Sequence, residues 1–340
     1  MLAVVVVSSL FVFSRAPANR SGHFSRRLPP HMLAERGTVS WKNNPWRLIG
    51  SQKDSFYLAH KGLLNVTMRV AVKGELDTVV GTLTLENIIN PQFDKSAWLA
   101  IDSNLFYLMD GRKGAVFHGN ISEGKATPMI GNMPFFDKSV ILGGTIYFRG
   151  IILGKGFVLG SYDTRQKKQA VFPTLLEKQE DGFFDRDGIL LKDARHSRII
   201  YLYNYRNQFI VMDSAMDLIY KGRTIDTVSQ VHLRLGSADH GEAIKMATPP
   251  PTVNQSACIA NGYLFVHSTQ RADNEQVDLE KDASVIDVYD VRSGDYRLSF
   301  YIPTYKNEKI QQILVSNNLL AAMYPHHLRI FSIARDLFSQ

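Results

Sequence analysis

Short apolar or alternating runs recur from about residue 40 to residue 334, separated by Gly, Asn, Asp and Pro turns, with no long helical spacing between them. Alternation over about four to eight residues puts successive side chains on opposite faces of a strand, so the pattern predicts an all-β fold. One landmark repeats: a strand of aromatic and aliphatic residues, then an acidic or turn residue, then a polar hairpin. It occurs as SFYLAHKG near His60, LFYLMDGRKG with Asp110, FVLGSYDTRQKKQ with Asp163, QFIVMDSAMDLIYKG with Asp213, SVIDVYDVRSGDYRLSF with Asp290 and HLRIFSIA with Ser332.

These landmarks are spaced 50, 53, 50, 77 and 42 residues apart. The long interval holds a polar, Pro-rich insertion at residues 236–251 and a charged loop at 268–281. Without them the period is restored. A period of about 40–50 residues with four strands each marks a β-propeller, and six landmarks predict six blades. A blade cannot bury both faces alone, so blades pack face to face around an axis, and ring closure protects most strand edges. The chain runs only eight residues past Ser332, too few for an outer strand and its turn. A strand around residues 37–42 is therefore expected to complete the last blade.

Ahead of the repeat, residues 2–13 (LAVVVVSSLFVF) form an uncharged, apolar run. As a helix it would span about 18 Å at 1.5 Å per residue, short of a bilayer core of about 30 Å. Three readings fit: an uncleaved anchor, a cleaved signal with Ala16-Pro17-Ala18 as its small-x-small site, or a buried element of a cytosolic protein. The four arginines at positions 15, 20, 26 and 27 would by the positive-inside rule hold the body inside the cell. The expected organisation is a hydrophobic helix, either anchor or signal, over residues 1–14, an extended basic Pro/Arg-rich stalk over 15–36, and a propeller over 37–340.

Charge changes the picture once it is located. The chain has 340 residues, 39 Lys and Arg against 32 Asp and Glu, and a formal net charge of +7. Residues 1–50 hold Arg15, Arg20, Arg26, Arg27, Arg36, Lys42 and Arg47 against Glu35 alone. The body is thus near neutral, which argues against a nucleic-acid binder driven by electrostatics; anionic lipid headgroups suit the basic segment better. A single cysteine, Cys258, excludes an intrachain disulfide framework and a Cys-based zinc cluster.

Candidate chemistry is sparse. Residues 150–155 superficially resemble a phosphate loop, but Gly156 stands where Ser or Thr would hold magnesium, and a strand–turn–strand is expected. The carboxylates Asp181, Asp185 and Asp187 crowd one segment, yet Phe183, Phe184 and Arg186 interrupt any calcium spacing, so a turn with Asp bonding backbone amides is expected. Tyr201, Tyr203 and Tyr205 alternate on one strand face and lead into Arg206, Asn207 and Gln208, where a guanidinium beside amides suits carboxylate or peptide recognition. Pro249, Pro250 and Pro251 would present Asn254 at a loop end, and Cys258 reads as a buried thiol. His326 and His327 are adjacent on a strand and point to opposite faces, which disfavours a shared metal. No motif calls for a cofactor or a metal.

Residues 105–111 (LFYLMDG), 175–191 (LLEKQEDGFFDRDGILL), 201–214 (YLYNYRNQFIVMDS), 248–268 and 283–302 resemble a family of membrane-anchored bacterial envelope proteins that look like six-bladed, TolB-like propellers. The resemblance covers about residues 98–334 and the RRLPPH stretch. It implies fold and location, an inner-membrane anchor with the propeller in the periplasm, and assigns no catalytic residues. The expected function is a non-enzymatic binding or scaffold module that recognises a protein or peptide at the propeller mouth. Arg206 would capture a carboxylate, Asn207 and Asn254 would supply amide hydrogen bonds, and Asp110 and Asp187 would line the rim. The alternative is a cation-dependent propeller hydrolase or lyase, which needs three or more carboxylates or histidines converging near the axis.

Overall fold

The computed structural model describes residues 22–43, 46–85, 93–231, 234–237, 244–248, 250–276 and 282–338. The expected hydrophobic helix lies outside the described residues. Among the described residues no helix is long and apolar enough to cross a membrane.

The chain is an all-β, six-bladed propeller. Blade 1 is an antiparallel meander of Trp46–Gln52, Ser55–His60, Val66–Lys73 and Glu75–Thr82. Blade 2 is Trp98–Asp102, Leu105–Asp110, Ala115–Asn120 and Lys125–Gly131, with Thr84–Leu85 added parallel to its outer strand. Blade 3 is Phe136–Leu142, Thr145–Ile152, Gly156–Asp163 and Lys168–Phe172. Blade 4 is Gly188–Asp193, Arg198–Tyr203, Gln208–Met212 and Leu218–Arg223. Blade 5 is Asn254–Ala260, Tyr263–Ser268, Ala283–Asp290 and Tyr296–Pro303. Blade 6 takes Gln312–Ser316, Leu319–Met323 and His327–Ile333 from the end of the chain and Leu33–Ser40 from its beginning.

That last strand closes the ring. Leu33–Ser40 pairs antiparallel with His327–Ile333, from Leu33 opposite Ile333 to Ser40 opposite His327. The strand expected around 37–42 therefore exists and begins earlier, at Leu33. Residues 22–32, read from sequence as the end of a stalk, lie across blade 5. Asp273 N donates to Phe24 O (2.8 Å) and Ser299 N to Arg27 O (2.7 Å). The Arg26 guanidinium is buried: Nε and Nη2 grip Asp287 at 2.7 and 3.0 Å, and Nη1 reaches Glu275 at 2.5 Å.

Burial explains the sequence pattern. Second strands are sandwiched between neighbouring blades, so Phe56–Ala59, Ile199–Tyr203 and Tyr263–Ser268 are buried on both faces and read as continuous apolar runs. Outer strands such as Glu75–Thr82 are mostly exposed and read as polar. The six landmarks fall one per blade, but not at one position in the blade. SFYLAH and LFYLMD are second strands, whereas the other four are third strands. Both kinds are inner, doubly packed strands, and for that reason they look alike in sequence. The 77-residue interval holds the two-stranded ribbon Arg234–Ser237 and Ile244–Thr248, which joins blades 4 and 5, and the long loop between the second and third strands of blade 5.

The glycine-rich stretch at 150–156 is strand–turn–strand, as expected. Gly156 has φ +77°, and a Cβ there would lie 2.2 Å from Gly182 O. A backbone approach this close, not a phosphate, requires the glycine.

Candidate functional site

In every blade the first strand starts, the second ends, the third starts and the fourth ends on the same face of the ring. The strand ends that flank residues 83–97, 173–187, 224–253 and 269–282 all lie there, so this face is the mouth. Arg206, Asn207, Asn254, Asp110 and Asp187 all lie on it.

Four of the five are spent on holding the loops. Arg206 is 0% exposed; it stacks 3.6 Å from the Tyr203 ring and donates to Asp185 O (3.1 Å) and Glu177 O (3.2 Å). A guanidinium placed so has no face left for a ligand carboxylate. Asn254, also 0% exposed, donates from Nδ2 to Tyr203 O (2.8 Å) and Arg206 O (3.1 Å). Asn207 is buried and donates to Asp226 O (2.5 Å). Asp110 accepts from the backbone amides of Asp94 (2.9 Å) and Lys113 (3.1 Å). The acidic segment is the turn that was expected: buried Asp185 accepts from the amides of Gln179, Glu180 and Gly182, at 2.5, 2.6 and 2.8 Å.

Asp187 is different. Its side chain is 28% exposed at the lip of the axial channel, where the first strand of blade 4 begins. Arg149, buried in the second strand of blade 3, donates Nη1 to Asp187 (2.6 Å) and to Tyr201 OH (2.9 Å), and Nε to Asp137 (2.9 Å). Its guanidinium lies 3.8 Å from the Phe157 ring centroid. Lys138 Nζ sits 3.6 Å from Asp187, and Asn204 Nδ2 donates to it at 3.0 Å. Burial opposes ionisation of Asp187, but the charges of Lys138 and Arg149 outweigh it and hold the carboxyl below its ordinary range. Burial raises the Tyr205 phenol, with the Asp187 charge adding to the shift. Asn204 Oδ1 is buried and has no hydrogen-bond partner.

Asp137, Lys138, Arg149, Asp187, Asn204 and Tyr205 thus form a charge-balanced polar cluster, ordered from behind by one buried arginine. Below it the axial channel, about 530 Å³, is lined by aliphatic residues such as Leu48, Leu99, Val140, Leu190 and Ile313. At its far end Lys192 from blade 4 bonds Asp102 of blade 2 at 2.7 Å.

Asp137, Lys138 and Arg149 carry no motif and escape a local reading of the sequence. One signal was present: Asp137 and Asp187 stand 50 residues apart, one blade period. Among the described residues no group of three or more His, Cys, Asp or Glu is placed to hold a metal ion, so the cation-dependent alternative finds no ligand set there. His326 and His327 take separate partners, Glu308 and Ser40.

No protein-family model matches the chain, and no curated protein is detectably similar to it. Solved structures share its fold. The WD40 β-propeller domain of Doa1 is 8% identical with a TM-score of 0.50, covering 91% of this chain and 99% of that one. A member of the DUF4221 family from Bacteroides vulgatus is 12% identical with a TM-score of 0.50, over 89% of this chain and 97% of that one. Virginiamycin B lyase from Staphylococcus aureus is 11% identical with a TM-score of 0.49, over 88% and 99%. At these identities the likeness is one of fold.

Proposed function

We propose that the protein is a non-enzymatic binding module of the bacterial envelope that recognises a protein or peptide segment at the propeller mouth. The observation that carries this reading is the rim of blades 3 and 4. Polar groups of both signs are fixed there by Arg149 before any partner arrives, at the edge of an aliphatic channel. Preorganised groups lose little freedom on binding. A balanced set of donors and acceptors suits a peptide backbone better than a highly charged ligand. Lys138 supplies N–H donors, Asn204 Oδ1 an acceptor and Tyr205 a hydroxyl, while buried Arg206, Asn207, Asn254 and Asp110 hold the loops that carry them. The apolar run at residues 2–13 supports tethering at the inner membrane; the resemblance to envelope proteins favours a propeller in the periplasm, while the arginines after the run pull the other way. Protease protection in intact cells and cleavage in spheroplasts is the expected result for that location.

The recognition claim is tested by selecting a displayed random-peptide library on immobilised protein. Selected peptides should bind Lys138→Gln and Asn204→Ala about fivefold to tenfold more weakly, as loss of one hydrogen bond predicts. Failure to enrich peptides, or equal binding to both variants, contradicts it.

A further inference from the structure

Blade 5 has its own cavity on the mouth face, apart from the rim of blades 3 and 4. It measures about 130 Å³ and is bordered by Gln255, His267, Ser268, Glu275, Tyr301 and Lys309. His267, at the end of the second strand, is 5% exposed, and its Nδ1 is buried without a hydrogen-bond partner. Ser256 of the first strand stands directly opposite His267 in the antiparallel register. Their side chains therefore share one face of the sheet, about 5 Å apart. Ser256 Oγ is also buried and unpartnered. Orphaned buried polar atoms are costly and uncommon in a folded protein. His267 borders the cavity, where a polar ligand group would complete the hydrogen bonding of its imidazole; Ser256 is not among the bordering residues.

The charge of the cavity decides the class of that group. Glu275 is already committed: Oε1 accepts from Tyr301 OH (2.7 Å), and Oε2 accepts from Arg26 (2.5 Å) and from Ala272 N (2.7 Å). Its charge is answered by the buried Arg26. Lys309 stands exposed beside the cavity. Burial, followed by the charge of Lys309, depresses the His267 imidazole to about 4, so the ring is neutral near pH 7. What is left to a ligand is a neutral imidazole, the Gln255 amide and an ammonium group. That set favours an anion with oxygen acceptors. The cavity has room for a carboxylate on a short stem.

We propose that the blade 5 cavity binds a carboxylate group, held by the Lys309 ammonium and by hydrogen bonds from Gln255 and His267. The carboxylate is that of a small organic acid or of a peptide C-terminus. The site does not depend on the rim cluster, and its test separates the two. The His267 ring resonances, assigned by their loss in His267→Gln, are followed by NMR during titration with acetate, inorganic phosphate, and N-acetyl-Gly-Ala with a free or an amidated C-terminus.

The expected result is a saturable shift with acetate and with the free peptide acid, weakened about tenfold in Lys309→Gln and unchanged in Asn204→Ala. Lys309 is exposed, so its replacement leaves the fold intact. Tighter binding of the peptide acid than of acetate identifies a C-terminus as the ligand; equal binding identifies a free acid. No saturable shift, a shift with phosphate alone, equal binding of the amidated peptide, or an undiminished response in Lys309→Gln would each overturn the proposal.

Discussion

Burying a guanidinium or an amide is costly unless its donors find acceptors; Arg206 Nη1 and Nη2 and Asn254 Nδ2 find theirs in loop carbonyls, while Arg206 Nε does not. Asn254→Ala leaves the Tyr203 and Arg206 carbonyls short of a donor and should cost about 2 kcal/mol, read from urea unfolding; an unchanged midpoint would contradict that role. Cys258 is buried and its thiol is pushed up to about 12 by desolvation. Iodoacetamide at pH 8 should therefore spare the native protein and label it rapidly in denaturant. His267 gives a pH dependence whose sign is fixed. Its folded value of about 4 lies below the unfolded value of about 6.5, so the unfolded chain takes up a proton first as pH falls. The contribution is complete above pH 6.5 and is lost between 6.5 and 4, amounting to roughly 3 kcal/mol. His267→Gln should flatten stability over that window, and an unaltered pH profile would count against a buried neutral imidazole.

Elements hold one another through a few contacts that bridge distant parts of the chain. Arg26 ties residues 22–32 to Asp287 and Glu275 of blade 5. Arg26→Ala leaves two buried carboxylates without their cation and should cost about 3–5 kcal/mol. Removing residues 22–40 strips the outer strand of blade 6 as well and should lower stability by several kcal/mol; an unchanged melting curve would refute ring closure of this kind. Much of this scale was legible in the sequence. Doubly packed inner strands read as apolar runs, and their recurrence counted six blades even though it mixed second with third strands. The docking of residues 22–32 was not legible. Arg, Ser and Pro there look like a stalk, and only the fold brings Asp287 and Glu275 to Arg26.

For the molecule as a whole, a ring closed by its own N-terminal strand makes a rigid frame, and its long connections gather on one face. The residues singled out from sequence, Arg206, Asn207, Asn254, Asp110 and Asp187, lie on that face because turns ending the inner strands are rich in polar groups. Which of them meet solvent depends on loops far away in sequence, and no local pattern encodes that. Asp187 is partly exposed while Arg206 is sealed beneath 173–187. Ser256 and His267 carry no local signal for a related reason: their adjacency exists only once two strands pair. Recognition is expected at the rim of blades 3 and 4. The most direct test is hydrogen–deuterium exchange of the protein with and without a library-selected peptide. Protection should concentrate at residues 137–139, 187–189 and 204–206. Protection confined to the opposite-face hairpins at 53–54, 103–104 and 261–262, or to outer strands, would contradict it.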